Sequence, residues 1–293
     1  MVQQRTFGEK IFDAFNVLVM LFLIIMTVYP LYYVFICSIS DSNLLMESHG
    51  FKLLPVGFSL KSYEAVFSNP NILTGFGTTL FVLTVGTTLN VILTATGAFL
   101  LTRKQFACRK FMSIMIMITM FFGGGMIPTY IVVYKWLNLG NNIWALILPG
   151  LISTYNLTIM RTNFSALPDS LEEAAKIDGA NDIVILFKII IPLSLPIIAV
   201  MALFYGVAHW NSWFQAMLYI RDRDMYPLQL ILREILLIND ASNMGDVGAG
   251  NQFFLGESIK YASIIVATVP ILFAYPFLQK YFVRGIMSGA VKG

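Results

Sequence analysis

The chain has 293 residues, of which 57% are hydrophobic and only 12% charged, about half the ~25% charge usual in a soluble domain. With a mean hydropathy of +0.75, so few charges cannot cover a soluble surface, and the chain reads as an integral membrane protein. These numbers argue against disorder, a secreted disulfide scaffold and a nucleic-acid partner. The net charge is only +3, with basic residues scattered between apolar runs, and Cys37 and Cys108 form no metal or CxxC spacing.

Crossing a hydrocarbon core takes about 20 apolar residues. Six stretches free of Asp, Glu, Lys and Arg meet that length, predicting spans over roughly 16–37, 74–100, 111–133, 139–160, 193–216 and 261–279. The first is too long, and too poor in a small-residue cleavage site, to be a removed signal peptide, so it is read as a retained helix. The second carries Gly75, Gly77, Gly86 and Gly97, small residues that let helices approach closely inside a bundle. The third contains Gly123-Gly124-Gly125 followed by Pro128. That run predicts a break in the span, and irregular backbone at such depth is tolerated inside protein or beside a cavity. Two readings stand: a structural break, or a lining of a translocation path.

Lys and Arg favour the cytoplasmic side. Arg103, Lys104, Arg109 and Lys110 fill one short loop, and Lys280, Arg284 and Lys292 occupy a tail without acids. Both termini are therefore expected inside. Cys37 and Cys108 then fall on opposite sides, and no internal disulfide is expected. Trp136, Trp144, Trp210 and Trp213 fall near predicted outer ends, as an aromatic belt would.

The inside segment 161–191 has its own design. Ser170 and Glu173 match a capping box behind Pro168 and Asp169, predicting a short helix over Leu171–Asp178, ~12 Å long. Gly179 supplies a left-handed end, and Asn181 or Asp182 caps a second helix rising toward Pro192. At helical spacing Leu171, Ala174, Ala175 and Asp178 share a small, mildly apolar face. Such a face fits a groove on another protein better than it fits lipid. From the residues alone, a capped helix in a solvated loop is an equal alternative.

Glu173-Ala174-Ala175, Gly179, Ile189 and Pro192 resemble the EAA motif of ABC importer permeases, written as EAA, three residues, G, nine residues, I, one residue, L, P. Ile191 stands where the motif has Leu. Leu167-Pro168, Ile177-Asp178-Gly179-Ala180 and Pro192-Leu193-Ser194 fit the flanks. Over nearly the whole chain the sequence is similar to the MalG-like carbohydrate permeases. Gly123–Tyr130, Ile143–Gly150, His209–Phe214, Tyr226–Gln229 and the tail Gly289–Gly293 resemble its LplC/YtcP-like subgroup, associated with oligosaccharides cut from plant or algal polysaccharides.

That resemblance implies an all-α membrane protein of the type I ABC importer fold, with six transmembrane helices and a cytoplasmic coupling helix between spans four and five. It implies ATPase-coupling roles for Leu171, Glu173, Ala174, Ala175, Asp178, Gly179, Ile189 and Pro192. It implies a second homologous permease subunit, two ATPase subunits holding ATP and Mg, an extracellular solute-binding protein, an oligosaccharide cargo, and a bacterial cytoplasmic membrane. No GxxxxGK[ST] phosphate loop occurs in the chain, so no cofactor is expected here. The outer loop 221–260 is expected to contact the binding protein, its Asn239–Gln252 stretch forming an adaptable surface.

Candidate substrate-path residues are Gly124, Pro128, Tyr130, His209, Trp210, Asn211 and Trp213. For His209, an interfacial histidine beside tryptophans stands against a sugar contact. The remaining classes are an ABC permease for a non-sugar solute, an ion-coupled secondary transporter and a membrane enzyme. A secondary transporter usually buries carboxylates or basic residues in its spans, and the trimmed spans hold only His209. No nucleophile, metal-ligand or paired-carboxylate set suggests an enzyme.

Overall fold

The computed structural model describes residues 6–48, 50–244, 258–273 and 276. The described residues are helical apart from connections and one isolated bridge between Ser40 and Phe58. The basic tail 280–293, the end of the sixth expected span, and residues 245–257 of the expected outer loop lie outside the described residues. The chain divides into two compact units, residues 1–69 with 234–268, and residues 70–233 with 269–293.

In the first unit, α1 (Phe7–Ser38) opens at Thr6, whose backbone N–H donates to Glu9 at 2.8 Å in a capping box. Its apolar side chains are exposed over most of its length, until Ile36 and Cys37 at its end are buried, a pattern that fits a membrane span. Two short helices follow, α2 (Ser42–Glu47), capped by Asp41, and α3 (Lys61–Phe67). Ser258, the first residue of α13 (Ser258–Phe273), holds both through its hydroxyl, against Ser42 and against Ser62 at 2.6 Å.

The second unit is built on α4 (Pro70–Thr102), the other helix long and apolar enough to span alone. It widens into a π turn at Val82–Gly86. Its inner half packs against α7 (Thr154–Ser165) and α10 (Leu195–Trp210), burying Ala98, Phe99, Leu101, Leu157, Met160, Met201 and Tyr205 in one core. The glycines of this helix divide in use. A Cβ on Gly86 would meet the His209 ring at 2.5 Å, whereas Gly77 has open space around it.

Three expected spans are not straight. The third is α5 (Arg109–Phe121) joined to α6 (Met126–Trp136) at 116°. The break is made by Gly125 in a positive-φ conformation (φ +83°), and Pro128 falls in the first turn of α6, where a missing N–H costs little. The fourth is a pair of 3-10 turns, Ile143–Leu146 and Leu148–Gly150, leading into α7 at 47°. The fifth falls on α10 (Leu195–Trp210), which α9 (Asp182–Leu193) meets at 88°. Pro192 and Pro196, on either side of Ser194, each lack a helix donor, which is the physical reason for that elbow. After α11 (Trp213–Tyr219), the expected outer loop is partly helix, α12 (Leu228–Met244). Leu228, Ile231 and Leu232 form its buried stripe, and Thr79 Oγ1 accepts the Leu228 N–H at 2.8 Å.

Candidate functional site: the coupling segment and a buried polar ladder

Helix α8 (Asp169–Ile177) starts two residues earlier than the sequence suggests, with Pro168 in extended backbone as its N-cap. Ser170 is therefore inside the helix and exposed, and the expected Ser170–Glu173 capping box is not formed. The first turn instead carries Asp169 and Glu172, acids that favour the positive end of the helix dipole.

The face of α8 also differs from expectation. Ala175 is only 7% exposed and joins the core beside Phe99 and Phe164. Leu171, Glu173, Ala174 and Asp178 are exposed, and Ile177 is 86% exposed. The outward stripe is thus Ser170, Glu173, Ala174 and Ile177, at i, i+3, i+4 and i+7. Ile177 is the large apolar residue of that stripe, and the sequence reading passed over it.

The expected end at Gly179 is present in full. Its φ is +80°, and its N–H donates to Lys176 O at 3.0 Å while Ala180 N–H donates to Ala175 O at 2.9 Å. These are the two bonds of a Schellman motif, with Ala180 packed against the core in its apolar position. Asn181 then caps α9 by accepting the Val184 N–H at 2.9 Å. Ile185, Leu186 and Ile190 anchor α9 in the core, Ile189 is half-buried, and Pro192 is exposed at the elbow.

The basic loop after α4 reaches this helix. Arg103 pairs with Glu172 and lies over the Phe99 ring at 3.7 Å. Glu172 also takes Lys176 Nζ at 2.8 Å, one helical turn on. Lys104 Nζ donates to Asp169 Oδ2 at 2.8 Å. That bond holds the Asp169 carboxyl below its ordinary range and raises Lys104, while burial pushes the Arg103 guanidinium down against the opposing pull of Asp182 and Asp169. The sequence reading used Arg103 and Lys104 only for orientation. Asp169 and Glu172, three apart on one helix face, were the available signal.

Deeper in the bundle, the candidate path residues separate. His209 is 7% exposed, with Nε2 at 2.7 Å from Asn90 Oδ1. Asn90 Nδ2 donates to the carbonyls of Gly150 and Leu151 at 2.7 and 2.8 Å. One turn along both helices, the Tyr205 hydroxyl meets Thr94 at 2.7 Å and accepts the Ser153 N–H at 3.0 Å. This ladder satisfies the backbone freed where the 3-10 turns give way to α7, as irregular chain at membrane depth demands. His209 is thus a buried tie between helices. Trp210 is buried too, edge-on to Phe76 at 6.3 Å. Asn211 is exposed, and Trp213 carries Arg233 over its ring at 4.0 Å. Tyr130 stacks between Tyr134 and Tyr219 at 5.2 and 5.9 Å, while Gly124 and Pro128 are exposed at the break.

A helical membrane chain that carries an EAA-spaced segment on a tethered, outward-facing helix has the build of an ABC importer permease. The chain belongs to the sugar ABC importer permeases, integral proteins of the cytoplasmic membrane. It is 40% identical to the protein LplC of Bacillus subtilis (strain 168), over 99% of this chain and 97% of LplC. It is also 40% identical to the polygalacturonan/rhamnogalacturonan transport system permease protein YtcP of the same organism, over 97% of this chain and 99% of YtcP. A crystal structure of a bacterial ABC transporter involved in import of the acidic polysaccharide alginate superposes with a TM-score of 0.86 at 29% identity, covering 96% of this chain and 100% of that one. No protein-family model matches the chain.

Proposed function

We propose that this chain is the oligosaccharide permease half of a heteromeric importer, crossing the membrane six times with both termini in the cytoplasm. A second permease completes the pathway, two ATPase subunits hold ATP and Mg, and an extracellular binding protein delivers the cargo. The observation that carries this reading is the outward stripe of α8. Glu173, Ala174 and Ile177 form a small apolar surface with one acid, held by a core on its other side. Its partner is the groove of an ATPase subunit, where Glu173 meets a basic side chain. Gly179 fixes the angle at which α9 leaves.

The cargo is an oligosaccharide cut from a polysaccharide, with uronate-bearing chains favoured. The names of YtcP and of the alginate importer support that choice. So does Arg233 laid over Trp213, which joins a carboxylate-binding cation to an aromatic face suited to sugar rings.

Affinity purification of the tagged chain from its own membrane tests the assembly. A second permease and an ATPase should be recovered by mass spectrometry, and recovery of the chain alone with transport independent of ATP would overturn the reading. Cys108 tests the orientation, because it is exposed while Cys37 is buried. A membrane-impermeant maleimide should label Cys108 in inverted vesicles and not in right-side-out ones, and the reverse pattern would place the short basic loop outside.

A further inference from the structure

We propose that Arg103 is a positioning residue that ties the coupling helix directly to α4, giving ATPase closure a second route into the membrane. This rests on the coupling role proposed above for α8. The covalent route from α8 passes through two joints, the left-handed Gly179 and the 88° elbow at Ser194. A segment with two joints transmits a push poorly unless something braces it.

Arg103 supplies the brace. It follows the last residue of α4 and reaches Glu172 on the inner side of α8. The pair is largely enclosed, with side chains 15% and 20% exposed, and the guanidinium carbon lies over the Phe99 ring of α4 at 3.7 Å. Its Nε is buried and finds no hydrogen-bond partner among the described residues. One side chain therefore bears on α8 and on the helix that carries Asn90 and Thr94. The neighbouring Lys104–Asp169 pair is an internal contrast, with side chains 79% and 72% exposed. Exposed pairs of that kind contribute little.

The test uses the complex purified through this chain with its ATPase, and reads ATP hydrolysis without binding protein or cargo. If Arg103 makes hydrolysis carry the load of moving α4, Arg103→Gln should release it. Cargo-independent hydrolysis should rise about fivefold or more, in the range of ordinary coupling free energies. Glu172→Gln should do the same, and the double variant should match the larger single effect, because both act through one contact. Lys104→Gln should change hydrolysis less than about twofold. Unchanged or lowered hydrolysis in Arg103→Gln, additive single effects, or an equal rise in Lys104→Gln would overturn the proposal. If Arg103→Gln fails to assemble, Arg103→Lys decides. It keeps the charge but not the planar stack, so raised hydrolysis supports the brace, and wild-type hydrolysis or a second failure to assemble reduces Arg103 to a folding role. A wild-type chain that brings down no ATPase would instead remove the coupling reading itself, and the brace with it.

Discussion

His209 Nε2 lies 2.7 Å from Asn90 Oδ1, and the surroundings of Asn90 fix which atom donates. The Asn90 amide nitrogen already serves two backbone carbonyls, at Gly150 and Leu151. Its oxygen is therefore the acceptor, and His209 is the tautomer protonated on Nε2. Three chain segments meet at Asn90, and His209 is one of the two side chains that join them.

Asn90→Leu is expected to leave two carbonyls and the His209 donor without partners. Each buried group orphaned in this way costs about 1–3 kcal/mol. The melting temperature of the purified protein, followed by tryptophan fluorescence, should fall clearly. Gly86→Val should have a comparable effect by a different cause, since its side chain would collide with the His209 ring. A melting curve for Asn90→Leu that overlays the parent would refute the ladder as a structural element.

Glu173→Lys is expected to leave membrane insertion and melting behaviour unchanged, because Glu173 is exposed. It should reduce the ATPase recovered with the chain, through charge reversal at the docking stripe. Gly179→Val should do so as well, by another route. A β-branched residue at φ +80° is strained by about 1–2 kcal/mol, so the joint relaxes to another angle. Undiminished ATPase recovery together with parental transport in both variants would sink the coupling assignment.

The Lys104–Asp169 pair gives a pH signature. The folded Asp169 carboxyl titrates below its ordinary value because Lys104 donates to it. Its contribution is therefore complete at pH values above the ordinary carboxylate range and is lost as pH falls through the lowered folded value. Lys104 is raised by the same bond, so its share is complete below the ordinary lysine range and is lost only at more alkaline pH. The difference in melting temperature between the parent and Asp169→Asn should be small near neutrality, shrink in high salt and close under strong acid. A difference that grows with acidification would have the wrong sign for this pair.

Local signals carried what the sequence could give. Gly179 ending α8 and Asn181 capping α9 each depend on a few adjacent residues, and both form as expected. The rotation of α8 does not depend on local residues. Arg103 draws Glu172 inward, which sends Ala175 into the core and Ile177 outward, against the face inferred from spacing alone. The ladder was hidden for the same reason, because Asn90 meets its partners 60 and 119 residues away. Hydropathy marked where apolar chain lies but not where it bends. The 116° break falls at the glycine run that marks it in the sequence, with Gly125 at positive φ, whereas the 88° elbow comes from prolines on both sides of Ser194.

Arg233 is where the proposed uronate preference can be tested. Its guanidinium carbon lies over the Trp213 ring at 4.0 Å, and Nη1 donates to Met217 Sδ at 3.0 Å. A thioether is a weak acceptor, so most of the donor fork remains for a carboxylate arriving beside the indole. If uronates pass this point, Arg233→Gln should slow uptake of galacturonate oligomers by about tenfold, while uptake of neutral galactose oligomers by the same complex changes little. Trp213→Ala should slow both, since stacking on an aromatic face does not depend on cargo charge. Competition between labelled galacturonate and galactose oligomers in one vesicle preparation reads the ratio directly. Equal slowing of the two by Arg233→Gln would make the arginine a structural partner of Trp213, and the acid preference would then have to reside in the binding protein.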